Sequence, residues 1–312
     1  MKDLVVFIKC SGPNVREDNL HDTITSFVDK NKDCDFGFYL VVDSKMKAAT
    51  EKILSDDLNR YCLSIKVSER SWAKDFNDFF DEYKDKTKWI LISHDDVEYV
   101  TDNYFTKIMS QIKGHESDIG WITSTSDYYY SDEGRVVTDT FRAGFYQDMS
   151  NWGAMFQLHK MSHLKNAPDF LVKSNLYALD YPDRPVKVHG IMSAVMLVSV
   201  ESLQKIGKCE DWTNYTMLID EDWSLEALRN NLHNVWVPDV HHKHPLRRSL
   251  RPTNNKWEEE AHRGFTEKWG FDVGGYENGL SITVDELREK YGDTNIPWST
   301  YRKSYEWEYL DE

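Results

Sequence analysis

Short apolar runs alternate with stretches of helical periodicity along most of the chain. The runs at 4–8, 36–42, 63–67, 89–92, 119–123, 194–200 and 234–237 are candidate strands. The early ones are nearly unbroken, as in Leu4-Val5-Val6-Phe7-Ile8 and Trp89-Ile90-Leu91-Ile92. Parallel strands covered on both sides read this way, because neither face meets water. Between them, 20–30, 45–55, 72–83 and 104–113 have helical spacing. Trp72, Phe76, Phe79, Phe80 and Tyr83 recur on one helical face and predict a buried stripe rather than a ligand site. Strand and helix in alternation predict an α/β sheet. Ligands of such sheets collect beyond the carboxyl ends of the strands, which directs attention to the residues just after each run.

The pattern fails in the middle. Residues 127–188 are irregular and aromatic, with Tyr128-Tyr129-Tyr130, Phe141, Phe145, Tyr146, Trp152 and Phe156. A long aperiodic segment within a compact domain is often functional. Beyond residue 250 the tail reads as helical again, with Trp257, Phe265 and Trp269 spaced to dock back. The expected organisation is one domain over 1–250 and a C-terminal helical extension over 251–312.

Three polar clusters carry the candidate chemistry. His94-Asp95-Asp96 directly follows the run at 89–92. Carboxylates at a strand end can hold a hard divalent cation, and an imidazole can complete the shell. An ordinary polar turn explains the same residues equally well. Asp220-Glu221-Asp222 opens a helical stretch. Either one acid is a general base, or Asp220 caps the helix and its neighbours favour the dipole. His241-His242-Lys243-His244 follows the last candidate strand, and an extended backbone there puts His242 and His244 on one face, as metal or phosphate ligands. Asp43 and Ser11 also sit just past strand ends, where acids and serines are common in any α/β protein.

Composition narrows the partners. A formal net charge of -15 excludes a global affinity for nucleic acid, which needs a basic footprint. Lys243, Arg247, Arg248 and Arg251 form a local basic candidate for phosphate, with a solvated basic turn as the plainer account. The 4 cysteines, Cys10, Cys34, Cys62 and Cys209, match no zinc or redox spacing, and Cys10 and Cys62 are expected as buried thiols in a reducing cytoplasm. The first residues are too quickly interrupted by charge for a signal peptide, and no run is long enough to cross a bilayer. Dinucleotide, P-loop and nucleophile-elbow motifs are missing from the sequence.

The strand at 89–92, the acid triplet and Val97-Glu98 together resemble the DxD segment of GT-A glycosyltransferases, especially their inverting family 2 group. Gly190-Ile191-Met192-Ser193-Ala194-Val195-Met196-Leu197-Val198, then Leu203-Gln204-Lys205-Ile206-Gly207 and the Glu221-Asp222 helix, are similar to that family's approach to its base. Lys9-Cys10-Ser11-Gly12-Pro13-Asn14 loosely matches its first loop, and Lys268-Trp269-Gly270 resembles a closing motif expected to serve packing. His94 departs from the pattern, since the family more often has Asp or Asn there.

The resemblance implies a GT-A, Rossmann-like α/β fold, with a mixed but mostly parallel sheet flanked by helices. It implies a nucleotide-diphosphate sugar donor of UDP, GDP or dTDP type, and Mn2+ or Mg2+ held by Asp96 with His94, His242 and His244. Ser11, Asp43, Asp95, Arg247 and Arg248 would contact the donor. Asp222 would be the base, with Glu221 as its substitute, and Tyr146 and Trp152 would line the acceptor. The acceptor would be a glycan, a lipid-linked glycan or a protein, in surface glycan or glycoconjugate synthesis, in the cytoplasm or at the inner membrane face. Two other classes stay open: a metal-dependent hydrolase built on His94, Asp96, His242 and His244, and a sugar- or nucleotide-binding module without catalysis.

Overall fold

A computed structural model describes residues 2–11, 16–54, 56–132, 135–141, 183–188, 191, 194–212, 218–244, 255–269 and 309–311. The elements in chain order are β1 (Lys2–Cys10), α1 (Glu17–Lys30), β2 (Phe36–Val42), α2 (Lys47–Ile53), α3 (Asp56–Asn59), β3 (Cys62–Val67), α4 (Trp72–Tyr83), β4 (Thr87–Ser93), β5 (Glu98–Tyr99) and α5 (Tyr104–Gln111). They continue with β6 (Ile119–Asp132), β7 (Arg135–Phe141), β8 (Val186–Val188), β9 (Val195–Ser199), α6 (Val200–Ile206), α7 (Ile219–Arg229), β10 (His233–Lys243) and α8 (Asn255–Trp269).

The strands form one sheet in the order β3-β2-β1-β4-β9-β6-β10-β5, with β7 against β6 and β8 against β10. Strands β1 to β4 run parallel, as do β6 and β10, whereas β9 is antiparallel to both β4 and β6. The expected α/β sheet, mixed but mostly parallel and flanked by helices, is therefore observed. The unbroken apolar runs arise because both sheet faces are covered. Leu4, Val6 and Ile8 pack with α1, α2 and α5, while Val5 and Phe7 pack with α4, α6 and α7. The aromatic stripe of α4 behaves as its spacing predicts: Phe76, Phe79, Phe80 and Tyr83 are buried, and Phe76 meets Trp223 of α7 edge-on at 5.0 Å.

Differences from the sequence expectations are local. Strand β10 does not stop at Val237 but continues through Lys243, carrying His241 and His242 into the sheet. Of the two cysteines expected to be buried, Cys10 is and Cys62 is half-buried, because β3 is an edge strand with one side open. Helix α7 is not capped by Asp220; its cap is Leu218 in the left-handed region at φ 60°. A bulky residue there costs about 1–3 kcal/mol and persists only where the surroundings impose it. At Gly120 of β6 a Cβ would stand 2.5 Å from the Ala227 side chain, so glycine is what allows α7 to settle on the sheet. Tyr146, Trp152, Arg247 and Arg248 lie outside the described residues. Among the described residues no helix is long and apolar enough to cross a membrane.

Candidate metal and donor site

The strand register explains why residues 150 positions apart meet. After β4, the turn at His94-Asp95-Asp96 leads into β5, which pairs antiparallel with the end of β10 through His242↔Tyr99 and Lys243↔Glu98. One step further in that register sets His244 beside Val97, next to Asp96. The His244 Nε2 atom lies 3.1 Å from Asp96 Oδ1 and 3.3 Å from His94 Nδ1. The backbone N–H of His94 donates to the Ala194 carbonyl at 3.0 Å, fixing the turn to the start of β9.

His94, Asp96 and His244 are thus a candidate metal group, their ligand atoms all within 4.8 Å of one another. Two observations show that these residues fit a cation. His94 Nδ1, Asp96 Oδ1 and His244 Nε2 converge, and a cation among them would accept lone pairs from all three. Asp96 is 5% exposed, and its Oδ2 is buried without a hydrogen-bond partner, an arrangement that native structures rarely leave uncompensated. An octahedral ion with bonds of about 2.1 Å sets neighbouring ligands roughly 3 Å apart, close to the separations here. Burial would raise the Asp96 carboxyl, but the hydrogen bond and charge of His244 outweigh it and hold the group below the usual range.

His242, expected as a fourth ligand, lies outside this group. It is fully buried, and its Nδ1 pairs with Ser124 Oγ at 2.7 Å, which in turn meets Tyr104 Oη at 2.5 Å. The alternation of β10 does put His242 and His244 on the buried side, but β10 ends between them, so only His244 reaches the acid turn. Mutation separates the two roles. His244→Ala is expected to weaken manganese binding more than tenfold in calorimetry. His242→Ala should leave it unchanged and cost about 1–3 kcal/mol of stability by stranding Ser124. Equal loss of manganese affinity in both variants would put His242 back among the ligands.

The donor-side candidates gather around the end of β1. The Asp95 carboxyl is hydrogen-bonded by the Cys10 thiol, and burial pushes it up to about 6, with the charge of Asp96 adding to the effect. The same burial, together with Asp95, Asp43 and Asp96, drives the Cys10 thiol far upward and keeps it neutral. Asp43 is buried, and its Oδ1 accepts from the Lys45 and Met46 N–H groups at 3.0 Å each, so that oxygen is engaged in shaping the turn before α2. Ser11 is exposed just past β1.

The candidate base stands on α7. The helix is seated on β6 by the Trp121 indole N–H, which donates to the Trp223 carbonyl at 3.1 Å, and by Ala227 over Gly120. Ser93, the last residue of β4, pairs with Val195 of β9. Ile191 donates its N–H to Ser224 Oγ of α7 at 3.1 Å, and three residues on, Ala194 holds His94. Asp222 is 2% exposed, and Glu221 is half-buried. The indole N–H of Trp269 donates to Asp222 Oδ1 at 2.8 Å, and Lys268 Nζ lies 2.8 Å from Oδ1 and 3.0 Å from Oδ2. Burial pushes the Asp222 carboxyl up to about 6, against the charge and hydrogen bond of Lys268 and the hydrogen bond of Trp269. The Lys268-Trp269 pair therefore does more than the packing expected of it.

A mixed sheet with these crossovers and covering helices is a GT-A-like fold. Among solved structures the chain is similar to GalNAc-T7, crystallised with UDP, GalNAc and Mn2+, with a TM-score of 0.58 at 12% identity, over 93% of this chain and 56% of that one. The chain thus spans little more than half the length of that protein, and at this identity the likeness shows the fold. No protein-family profile and no curated protein matches the sequence.

Proposed function

We propose that this protein is a GT-A glycosyltransferase that moves a sugar from a nucleotide-diphosphate sugar to an acceptor hydroxyl, with inversion. The observation that carries the reading is the His94, Asp96 and His244 group, with its stranded Asp96 oxygen, at the carboxyl edge of a GT-A-like sheet. The neighbour's bound UDP, GalNAc and Mn2+ support the same donor class. His94, Asp96 and His244 would hold Mn2+ or Mg2+. When bound, such an ion neutralises the departing diphosphate. Asp95, Asp43 and Ser11 would face the donor. Asp222 would remove the acceptor's proton as its oxygen forms the new bond to the anomeric carbon, from the face opposite the breaking carbon–phosphate oxygen bond. One base suffices, and the nucleoside diphosphate leaves without a covalent intermediate.

A thermal-shift panel of UDP, GDP, dTDP and CMP, each with and without manganese, tests the reading. One nucleoside diphosphate should stabilise the protein only when manganese is present, by about 2.7 kcal/mol at a hundredfold excess over its dissociation constant. Asp96→Ala should abolish that shift, and because Asp96 is buried against His244 the free protein should melt somewhat lower while still unfolding cooperatively. Absence of any manganese-dependent shift across the panel would overturn the assignment, and an unchanged shift in Asp96→Ala would remove Asp96 from the site.

A further inference from the structure

Helix α8 is held against α7 by an unusually committed set of side chains, and the set converges on one carboxylate. Gly264 of α8 lies so close to Trp212 that a Cβ would stand 2.5 Å from its ring. Phe265 meets Trp212 edge-on at 5.9 Å, and the guanidinium of Arg229 lies 5.1 Å from the Trp269 ring centre. These contacts fix the last turn of α8. From that turn Lys268 and Trp269 both reach Asp222, with the distances given above. Lys268 also meets Glu226 Oε1 at 2.8 Å and Glu210 Oε1 at 3.4 Å.

We propose that Lys268 and Trp269 are positioning residues for Asp222, two donors from another helix that aim its carboxylate and preserve its charge for proton abstraction. The inference rests on the reading of Asp222 as the base. A carboxylate has about four acceptor positions, and the three contacts from α8 leave capacity for an incoming hydroxyl. The indole N–H suits this role because it donates and never takes a proton. Hydrogen bonds to a charged group are stronger and more directional than neutral ones, so together they select one rotamer. Among the described residues, the charged and titratable groups that act on Asp222 include Lys268 on α8, Glu226 on its own helix and Cys209 on the segment after α6, with Glu210 meeting Lys268. Among the described residues Lys268 is the cation that meets this carboxylate, so the ionised base depends on it. A packing role alone would require neither the N–H nor the ammonium to meet the same carboxylate.

The test uses Trp269→Phe, which keeps an aromatic ring and deletes the donor, and Lys268→Met, which keeps the chain length and deletes the charge. The Asp222 carboxyl is followed by 13C NMR, assigned by its loss in Asp222→Asn. Its titration midpoint should move to higher pH in Trp269→Phe and further in Lys268→Met. Manganese-dependent release of UDP from UDP-N-acetylgalactosamine is read in parallel. There kcat should fall roughly ten- to hundredfold in Trp269→Phe with KM unchanged, and its acid limb should move up in pH. Lys268→Arg should recover much of the activity lost in Lys268→Met. An unchanged titration midpoint in both variants overturns the proposal, as does a wild-type kcat and pH profile in Trp269→Phe. If Asp222→Asn itself releases UDP normally, the base reading fails instead, whatever the midpoint does. Should Trp269→Phe not fold, Lys268→Met and Lys268→Arg decide the matter by the same midpoint.

Discussion

Asp222→Asn is expected to lower sugar transfer by about a hundred- to ten-thousand-fold, the cost of losing a general base, while donor affinity stays nearly constant. The fold should survive the change. Asp222 is pushed up to about 6 by burial, so the protein already favours the neutral side chain, and the amide oxygen can still accept from Trp269. An acid serving only the helix dipole would behave in the opposite way, with a loss of a few tenths to about 1 kcal/mol of stability and little loss of activity. Glu221→Gln should be milder.

The pH dependence carries the same signature. A folded value raised above the unfolded value of about 3.9 contributes stability that is full below 3.9 and lost as pH rises through about 6. Lowering the pH from 7 to 5 should therefore reduce kcat while the stability contribution of Asp222 rises. Nucleoside diphosphate release and melting, measured side by side across that window, check both halves. Transfer by Asp222→Asn at near wild-type rate would pass the role to Glu221, and full activity in both Asp222→Asn and Glu221→Gln would leave the acidic cluster as nothing more than a helix start.

Asp75→Asn should be the most damaging substitution for stability, at about 3–5 kcal/mol. Asp75 is fully buried, Lys9 is 5% exposed, and their charges meet at 2.8 Å. Ser68 Oγ and Arg70 Nη2 each donate to Asp75 Oδ1 at 2.8 Å. Burial would raise the Asp75 carboxyl, but these donors outweigh it and hold the group below its ordinary value. The asparagine leaves the Lys9 ammonium bonded to the Arg70 carbonyl at 2.6 Å but without the counter-charge of Asp75, and that uncompensated cation is the main cost. Arg70 is 44% exposed and contributes little by comparison, because water screens it. Since the folded value is depressed, this stability is present above the unfolded value near 3.9 and is lost as pH falls through the folded one. Urea unfolding should show a lowered midpoint at unchanged slope. The pair Lys9→Met with Asp75→Leu should recover part of the loss, since neither charge is then left unpaired. A loss below about 1 kcal/mol in Asp75→Asn would mean that water reaches the cluster.

Much of this architecture is legible in the chain itself. The runs from Leu4 to Ile8 and from Trp89 to Ile92 specify strands buried on both faces, because an unbroken apolar segment has no side to offer to water. The α4 stripe fixes which helical face turns inward. The same segments hold two signals that are easy to pass over: Lys9 within an apolar strand, and Asp75 on the buried face of an aromatic helix. Each looks anomalous alone, and only their contact makes sense of both.

By itself the sequence determines the α/β class, the position of His94, Asp95 and Asp96 past a strand end, and the presence of acids in the first turn of α7, because periodicity and strand ends are local properties. Tertiary structure alone decides which of those residues meet. Whether His242 or His244 reaches Asp96 depends on the two-residue strand β5 and on where β10 ends, a long-range register that no local pattern encodes. The partners of Asp222 likewise come from Lys268 and Trp269, 46 and 47 positions away. Burial also moves the carboxyls of Asp95 and Asp222 up to about 6, because desolvation belongs to the packed environment and not to the residue.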